Sequence, residues 1–165
     1  MKRLTLVRHA QAGSGTGAMT DADRPLDPRG EDDAREMAAS LVAARLVPTL
    51  MITSPAVRAR TTARIFADAF GCAADRIRLA PEAYLAPASE LLDLMRRLGG
   101  RARHVMLFGH NPGISRFAGL LAKEPVPYEL PACAAISLLA PVGNWGELQI
   151  GQAATDFYQS PKNRP

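Results

Sequence analysis

Short apolar runs alternate along the chain with stretches in which apolar residues recur at helical spacing. The runs at residues 4–7, 50–53, 76–79 and 104–108 predict buried strands. The helically spaced stretches between and after them predict helices that begin near residues 28, 55, 88 and 113. This alternation predicts one α/β domain of three layers, in which helices cover both faces of a mostly parallel central sheet.

The C-terminal part of the chain changes character. Two further strands are predicted at residues 134–139 and 146–150, joined across a turn at residues 141–144. We expect them to close one side of the sheet in antiparallel orientation. The polar residues from Asp156 onward predict a disordered tail, so the predicted domain covers residues 1–155 and the tail covers 156–165.

Two helix starts carry the same local signal. Asp27-Pro28 and Ser54-Pro55 each place a capping side chain before a proline, which is favoured in the first helical turn. Gly71 stands where the second helix should end. The predicted inward face of the first helix consists of Ala34, Met37, Ala38, Leu41 and Val42.

Composition narrows the class of protein. The 165 residues are 47% hydrophobic, enough for one substantial core. The net charge of +4 comes mostly from scattered arginines without an aromatic platform between them, so nucleic acid is not an expected partner. Cys72 and Cys133 show neither zinc-ligand spacing nor a disulfide framework. With no membrane-length apolar run and no signal-peptide core, we expect a cytoplasmic protein without a membrane partner.

Polar side chains follow each predicted parallel strand. Arg8 and His9 end the first strand, Glu82 lies just past the third, and His110 follows the fourth. Arg58 falls in the first turn of the second helix, where the helix dipole disfavours a cation. Because right-handed crossovers bring the carboxyl ends of parallel strands to one edge, we expect these side chains to share a pocket.

The loop at residues 11–26 is longer than a simple connection needs and is expected to be functional. Within it, Arg24 is placed to fold back over the site. Asp21 and Asp23 have a spacing that can ligate a metal, but no histidine or third carboxylate is near them, so a solvated loop is expected. His104 begins its strand and should therefore lie at the opposite edge of the sheet.

Two histidines, at least two arginines and a helix N-terminus together describe a pocket for a dianionic phosphoryl group. The chain has no glycine-rich nucleotide loop and no cluster of metal ligands, so no cofactor or metal is expected. Neither cysteine has the flanking arginine loop of a cysteine phosphatase, and no aspartate directly follows a strong strand. A histidine is therefore the candidate nucleophile.

Several motifs resemble those of the histidine phosphatase superfamily, which has the phosphoglycerate-mutase-like fold. Val-Arg-His-Ala at residues 7–10 is similar to the superfamily's Arg-His-Gly motif, with alanine in place of glycine. The other parts of the pattern are residues 24–26 with Gly30, residues 54–63 and residues 109–113. The combination most closely resembles the SixA-type phosphohistidine phosphatases, and the similarity runs from residue 4 to residue 121.

The resemblance implies that His9 becomes phosphorylated and that water then attacks the phosphohistidine. It also implies that Arg8, Arg58 and His110 hold the phosphoryl oxygens. The further candidate substrate-binding residues are Arg24, Glu82 and Asn111. Among these, Glu82 is the candidate proton donor by position.

The short chain bears on the substrate. Members of the superfamily that act on small phosphate esters usually carry insertions that build a lid and supply an acid, and this chain has little beyond the core. A phosphohistidine on a protein, such as a histidine-phosphotransfer domain, is therefore the predicted substrate. Two alternatives remain: a small phosphate ester or sugar phosphate, for which Glu82 would have to act as an acid, and a non-catalytic module that binds a phosphorylated ligand.

Overall fold

Six strands form one central sheet in the computed structural model, which describes residues 1–161. Their order across the sheet is β3-β2-β4-β1-β5-β6. The first four in this order are parallel to one another, whereas β5 runs antiparallel to both of its neighbours. The strands are β1 (Lys2–Arg8), β2 (Leu50–Thr53), β3 (Ile77–Leu79), β4 (His104–Gly109), β5 (Ala135–Ala140) and β6 (Ala154–Gln159).

Four α-helices cover the two faces of the sheet. They are α1 (Pro28–Ala43), α2 (Val57–Phe70), α3 (Ala88–Leu98) and α4 (Gly113–Leu121). Helices α1 and α2 pack against each other on one face, and α3 and α4 pack against each other on the other. The predicted three-layer α/β/α arrangement is confirmed.

Strand β4 shows how the sheet separates two cores. All six of its residues are buried. Val105 and Leu107 belong to the core beneath α3 and α4, whereas Met106 and Phe108 belong to the core beneath α1 and α2. The alternation follows from the two-residue repeat of a strand, and a strand buried on both faces reads as a continuous apolar run.

The last strand lies elsewhere than predicted. Residues 146–150 form no strand; Trp145–Glu147 is instead a short 3₁₀ helix, and the buried Trp145 donates a hydrogen bond from Nε1 to the carbonyl of Ala102. A side chain at Gly99 would place its Cβ 2.2 Å from the Trp145 ring, so this glycine makes room for the indole. The edge strand is β6, which crosses the predicted domain boundary at residue 155. Residues 162–165 of the predicted tail lie outside the described residues.

The predicted helix ends are partly confirmed. Asp27 caps α1 by accepting a hydrogen bond from the Gly30 amide at 2.7 Å, and Gly71 ends α2 with φ +68°. The predicted Ser54 cap is wrong, because α2 begins only at Val57 and its capping residue makes no side-chain hydrogen bond. Val42, predicted to face inward, is 42% exposed. No helix within residues 1–161 combines the length and apolar content needed to span a bilayer.

Candidate active site

The carboxyl ends of β1 and β4 and the start of α2 open into one pocket of about 450 Å³. The predicted residues Arg8, His9, Arg58 and His110 all line it. The other lining residues are Gln11, Ala12, Asp21, Arg24, Leu85, Asn111 and Ala132. The structure therefore brings together side chains from three separate parts of the sequence, because the carboxyl ends of parallel strands lie at the same edge of the sheet.

Hydrogen bonds fix both the backbone and the ring of His9. Its amide donates to the carbonyl of Gly109, and its carbonyl accepts from the amide of Cys133, each at 3.1 Å. Its ring Nδ1 lies 2.7 Å from the carbonyl oxygen of Ala10. A carbonyl oxygen can only accept, so Nδ1 carries the proton and Nε2 keeps its lone pair. Burial, above all, lowers the pKa of His9 to about 4, which keeps the ring neutral near pH 7.

Arg58 extends from the first turn of α2 and is 97% buried, with an exposed fraction of 3%. Its Nε lies 3.4 Å from Nε2 of His9, and the guanidinium therefore faces the free lone pair of the imidazole. Its two terminal nitrogens donate to the backbone carbonyl and to the carboxylate of Asp21, at 2.8 and 3.0 Å. A cation that is unfavourable at a helix N-terminus is thus held by an anionic partner and a carbonyl.

Thr62 links the loop that follows His9 to the same helix. Its hydroxyl accepts a hydrogen bond from the Ala10 amide at 3.0 Å and donates one to the carbonyl of Arg58 at 2.7 Å. Both Ala10 and Thr62 are fully buried. The residue whose carbonyl orients the His9 ring is therefore itself held by α2.

His110 lies just beyond β4, with its ring centroid 5.2 Å from that of His9. Its Nε2 is 2.7 Å from Oγ of Ser54, a hydroxyl that accepts a hydrogen bond from the Ala56 amide and can donate its own proton to Nε2. Burial, followed by repulsion from a protonated His9 and from Arg58, lowers the pKa of His110 to about 3. The sequence analysis missed this contact between Ser54 and His110, because Ser54-Pro55 resembles a helix cap.

Arg8 is held by the loop that precedes β5. Its guanidinium donates to the carbonyl of Leu130 at 2.9 Å, and Nδ2 of Asn111 donates to the same oxygen at 3.0 Å. Nε of Arg8 and Nδ1 of His110 are buried nitrogens without a hydrogen-bond partner among the described residues. Buried polar atoms without partners are rare in proteins and call for an explanation such as a bound ligand.

The loop at residues 11–26 folds over the pocket, and Arg24 lines it as expected. The prediction of a merely solvated loop is wrong for Asp21. Its carboxylate accepts hydrogen bonds from Arg24, Arg58 and the Tyr84 hydroxyl. The hydrogen bond from Tyr84, together with the two arginines, holds the pKa of Asp21 well below its usual range. The ring of Tyr84 also packs edge-on against His110, with centroids 5.4 Å apart.

Two other polar side chains lie outside the pocket. Glu82, the candidate proton donor, lies in a short 3₁₀ helix (Pro81–Ala83), where it is exposed and paired with Arg97 at 3.1 Å. A hydrogen bond from its own backbone and this ion pair lower the pKa of Glu82, whereas a proton donor needs a raised pKa. His104 lies at the opposite edge of the sheet as predicted, with Nε2 2.7 Å from the Thr5 hydroxyl.

The pocket combines a neutral imidazole with a free lone pair and three arginine side chains. Arginine matches the oxygens of a phosphoryl group in charge and geometry. Within residues 1–161, no group of three or more His, Cys, Asp or Glu side chains is arranged to hold a metal ion. The imidazole and the arginines are together suited to nucleophilic attack on a tetrahedral anion.

Comparison with known proteins finds matches among phosphatases. A family model described as the histidine phosphatase superfamily (branch 1) matches residues 4–82. A structure described as the phosphohistidine phosphatase SixA of Agrobacterium tumefaciens is 25% identical; it superposes with a TM-score of 0.83, covering 97% of this chain and 98% of the other. An uncharacterized protein of Mycobacterium tuberculosis is 28% identical over 94% of this chain and its own full length.

The same fold also occurs in a phosphatase named for a small-molecule substrate. A mycobacterial glucosyl-3-phosphoglycerate phosphatase is 18% identical and superposes with a TM-score of 0.71, covering 98% of this chain and all of the other. At that identity the likeness concerns the fold alone. The choice of substrate must therefore be argued from the pocket itself.

Proposed function

We propose that this chain, which matches the histidine phosphatase superfamily over residues 4–82, is a phosphatase that removes the phosphoryl group from phosphohistidine on a protein through a phosphohistidine intermediate at His9. The observation that carries this proposal is the 2.7 Å contact between Nδ1 of His9 and the Ala10 carbonyl. This contact leaves Nε2, the nitrogen that faces Arg58, as the nucleophile.

In the first step Nε2 of His9 attacks phosphorus, so that a bond from Nε2 to phosphorus forms and the bond from phosphorus to the substrate nitrogen breaks. The departing imidazole keeps the electron pair of the broken bond and leaves as a neutral ring if its other nitrogen is already protonated. In the second step a water oxygen attacks the phosphorus of phospho-His9. The bond to Nε2 breaks, inorganic phosphate forms, and the proton lost by water is taken up by solvent.

Arg8, Arg58 and His110 are proposed to bind the phosphoryl oxygens. Donors placed around the transferred group stabilise its charge and offset its repulsion of the attacking lone pair. Arg8 Nε and His110 Nδ1 have no hydrogen-bond partner among the described residues, which fits two donors that await an anion. Arg24 and Asn111 line the same pocket and are the further candidates for substrate contacts.

The carboxyl groups in and near the pocket are ionised, which favours a substrate with a phosphorus–nitrogen bond over a phosphate ester. An alkoxide leaving from a phosphate ester needs a positioned proton donor, which contributes about 10²–10⁴-fold. Asp21 is the carboxyl residue among those that line the pocket, and its lowered pKa keeps it ionised, while Glu82 lies outside. An imidazole leaving group depends less on such a donor. The similar SixA structure is described as a phosphohistidine phosphatase, which supports phosphohistidine as the substrate class.

The test compares substrates of the two classes on the same enzyme. We expect kcat/KM for a histidine-phosphotransfer domain phosphorylated on histidine to exceed that for phosphoserine and for sugar phosphates by at least about 100-fold, the lower end of what a missing acid costs. His9→Ala should abolish both activities. His104→Gln serves as the matched control, because it alters a buried histidine at the far edge of the sheet. Equal kcat/KM values for esters and phosphohistidine would contradict the assignment.

A further inference from the structure

A carboxylate lies inside a pocket otherwise suited to an anion. Asp21 Oδ1 accepts hydrogen bonds from Nε and a terminal nitrogen of Arg24, at 3.1 and 3.0 Å. Its Oδ2 accepts from Arg58 at 3.0 Å and from the Tyr84 hydroxyl. One carboxylate thus engages two of the three arginines that line the pocket.

The donors that Asp21 engages are of the kind that a phosphoryl group requires. Arg58 uses Nε toward His9 and both terminal nitrogens toward Asp21, so each of its nitrogens already has an acceptor. Arg24 likewise uses all three nitrogens, two toward Asp21 and one toward the Gly13 carbonyl. A dianion that approaches His9 therefore meets arginines that already have an anionic partner.

Two like charges that share one guanidinium repel each other, and more strongly where Arg58 is buried. Asp21 itself is 46% exposed in its side chain and sits in a short 3₁₀ helix (Asp21–Asp23) within the long loop. Its carboxylate therefore has solvent available when it leaves Arg58. The loop position lets Asp21 move without disturbing either core, since no residue of this 3₁₀ helix is buried.

We propose that Asp21 is an internal competitor of phosphate: its carboxylate holds Arg24 and Arg58 in place over His9 when the pocket is empty, and it is displaced when a phosphoryl group binds. This inference rests on the proposed function, because it assigns Asp21 a role in that same pocket. The return of Asp21 to the arginines promotes the release of inorganic phosphate. Asp21 thus weakens the binding of the product in the pocket.

The experiment measures the dissociation constant of inorganic phosphate by isothermal titration calorimetry. Asp21→Asn keeps the size of the side chain and removes its charge. Asp23→Asn is the matched control, since it removes the same charge two residues away on the same 3₁₀ helix, where Asp23 accepts a hydrogen bond from Thr20. Tyr84→Phe removes one hydrogen bond that holds the carboxylate and leaves its charge in place.

We expect Asp21→Asn to bind phosphate about three to ten times more tightly than the wild type, between the weak coupling of exposed ion pairs and the stronger coupling at a buried arginine. Tyr84→Phe should tighten binding less, and Asp23→Asn should change it by less than about twofold. A residue that only supports the pocket would give the opposite sign, because its loss would release Arg58 and weaken binding.

Labelling of His9 separates failure of this inference from failure of the proposed function. If the wild type forms phospho-His9 but Asp21→Asn binds phosphate no more tightly than Asp23→Asn, Asp21 is not a competitor and the phosphatase mechanism stands. If the wild type forms no phosphoenzyme from phosphoramidate, the function and the inference both fail. Tighter phosphate binding by Asp21→Asn, with His9 labelled in the wild type, supports both.

Discussion

Replacing Thr62 by valine tests whether α2 holds the nucleophile's loop in place. The substitution keeps the branched shape of the side chain and removes the hydroxyl that accepts from the Ala10 amide and donates to the Arg58 carbonyl. Ala10 and Thr62 are both fully buried, so water cannot replace the lost acceptor without a change in packing. The Ala10 amide would then be a buried donor without a partner.

An unsatisfied buried donor costs about 1–3 kcal/mol. For a chain of this size each kcal/mol lowers the melting temperature by roughly 2–4 °C, so Thr62→Val should melt about 2–12 °C below the wild type. Thr61→Val is the matched control on the same turn. Its hydroxyl donates to the Val57 carbonyl within α2 and contacts nothing in the pocket, so its loss should cost less than about 0.5 kcal/mol.

Urea denaturation of both variants gives the free energies of unfolding, and single-turnover phosphorylation by phosphoramidate gives the rate at His9. Because the Ala10 carbonyl orients the His9 ring, Thr62→Val should also slow phosphorylation relative to Thr61→Val. If the two variants unfold with the same free energy and become phosphorylated at His9 at the same rate, the link from α2 through Thr62 to His9 contributes neither to stability nor to catalysis.

Four further outcomes are expected from the geometry. Glu82→Gln should leave kcat/KM unchanged for phosphohistidine and for esters, because the Glu82 carboxylate is ion-paired at the surface; a selective loss of ester hydrolysis would restore Glu82 as an acid. The lowered pKa of His9 should keep kcat/KM steady as pH falls to about 5 and then reduce it through about pH 4, as Nε2 gains a proton; a loss centred near 6.5 would contradict the burial of the ring. The same shift destabilises the fold as pH falls from about 6.5 to about 4, since the unfolded chain binds the proton first. A thiol reagent should modify Cys72 and not the fully buried Cys133 in the native protein, because burial raises the pKa of the Cys133 thiol; labelling of both without denaturant would contradict this.

The sequence suffices to predict the parallel part of the sheet and the edge that carries the pocket, because both follow from local rules. Strand β4 is a continuous apolar run, and a strand buried on both faces needs such a run. Arg8, Arg58 and His110 then meet because the carboxyl ends of parallel strands lie at the same edge. Strand β6 escapes prediction because it lies at the edge of the sheet, half-exposed, and its mixed polar composition is also typical of a tail.

The contacts of Asp21 and Ser54 could not be read from the sequence, because tertiary structure decides them. Asp21 meets Tyr84 across 63 positions of the chain, and nothing in the composition of the loop at residues 11–26 fixes its path. Ser54-Pro55 resembles the Asp27-Pro28 cap, yet the Ser54 hydroxyl contacts His110 and the helix starts three residues later. The position of Glu82 outside the pocket likewise depends on a tertiary contact, its ion pair with Arg97.

Mapping the phosphoenzyme shows whether His9 carries the phosphoryl group during turnover. The wild type and His110→Ala are mixed with radiolabelled phosphoramidate and quenched in base, and the acid-labile label is located by mass spectrometry among the chain's three histidines. We expect label on His9 and none on His104, although burial lowers the pKa of both rings to about 4. Turnover without label on His9, or label on His104, would rule out His9 as the nucleophile.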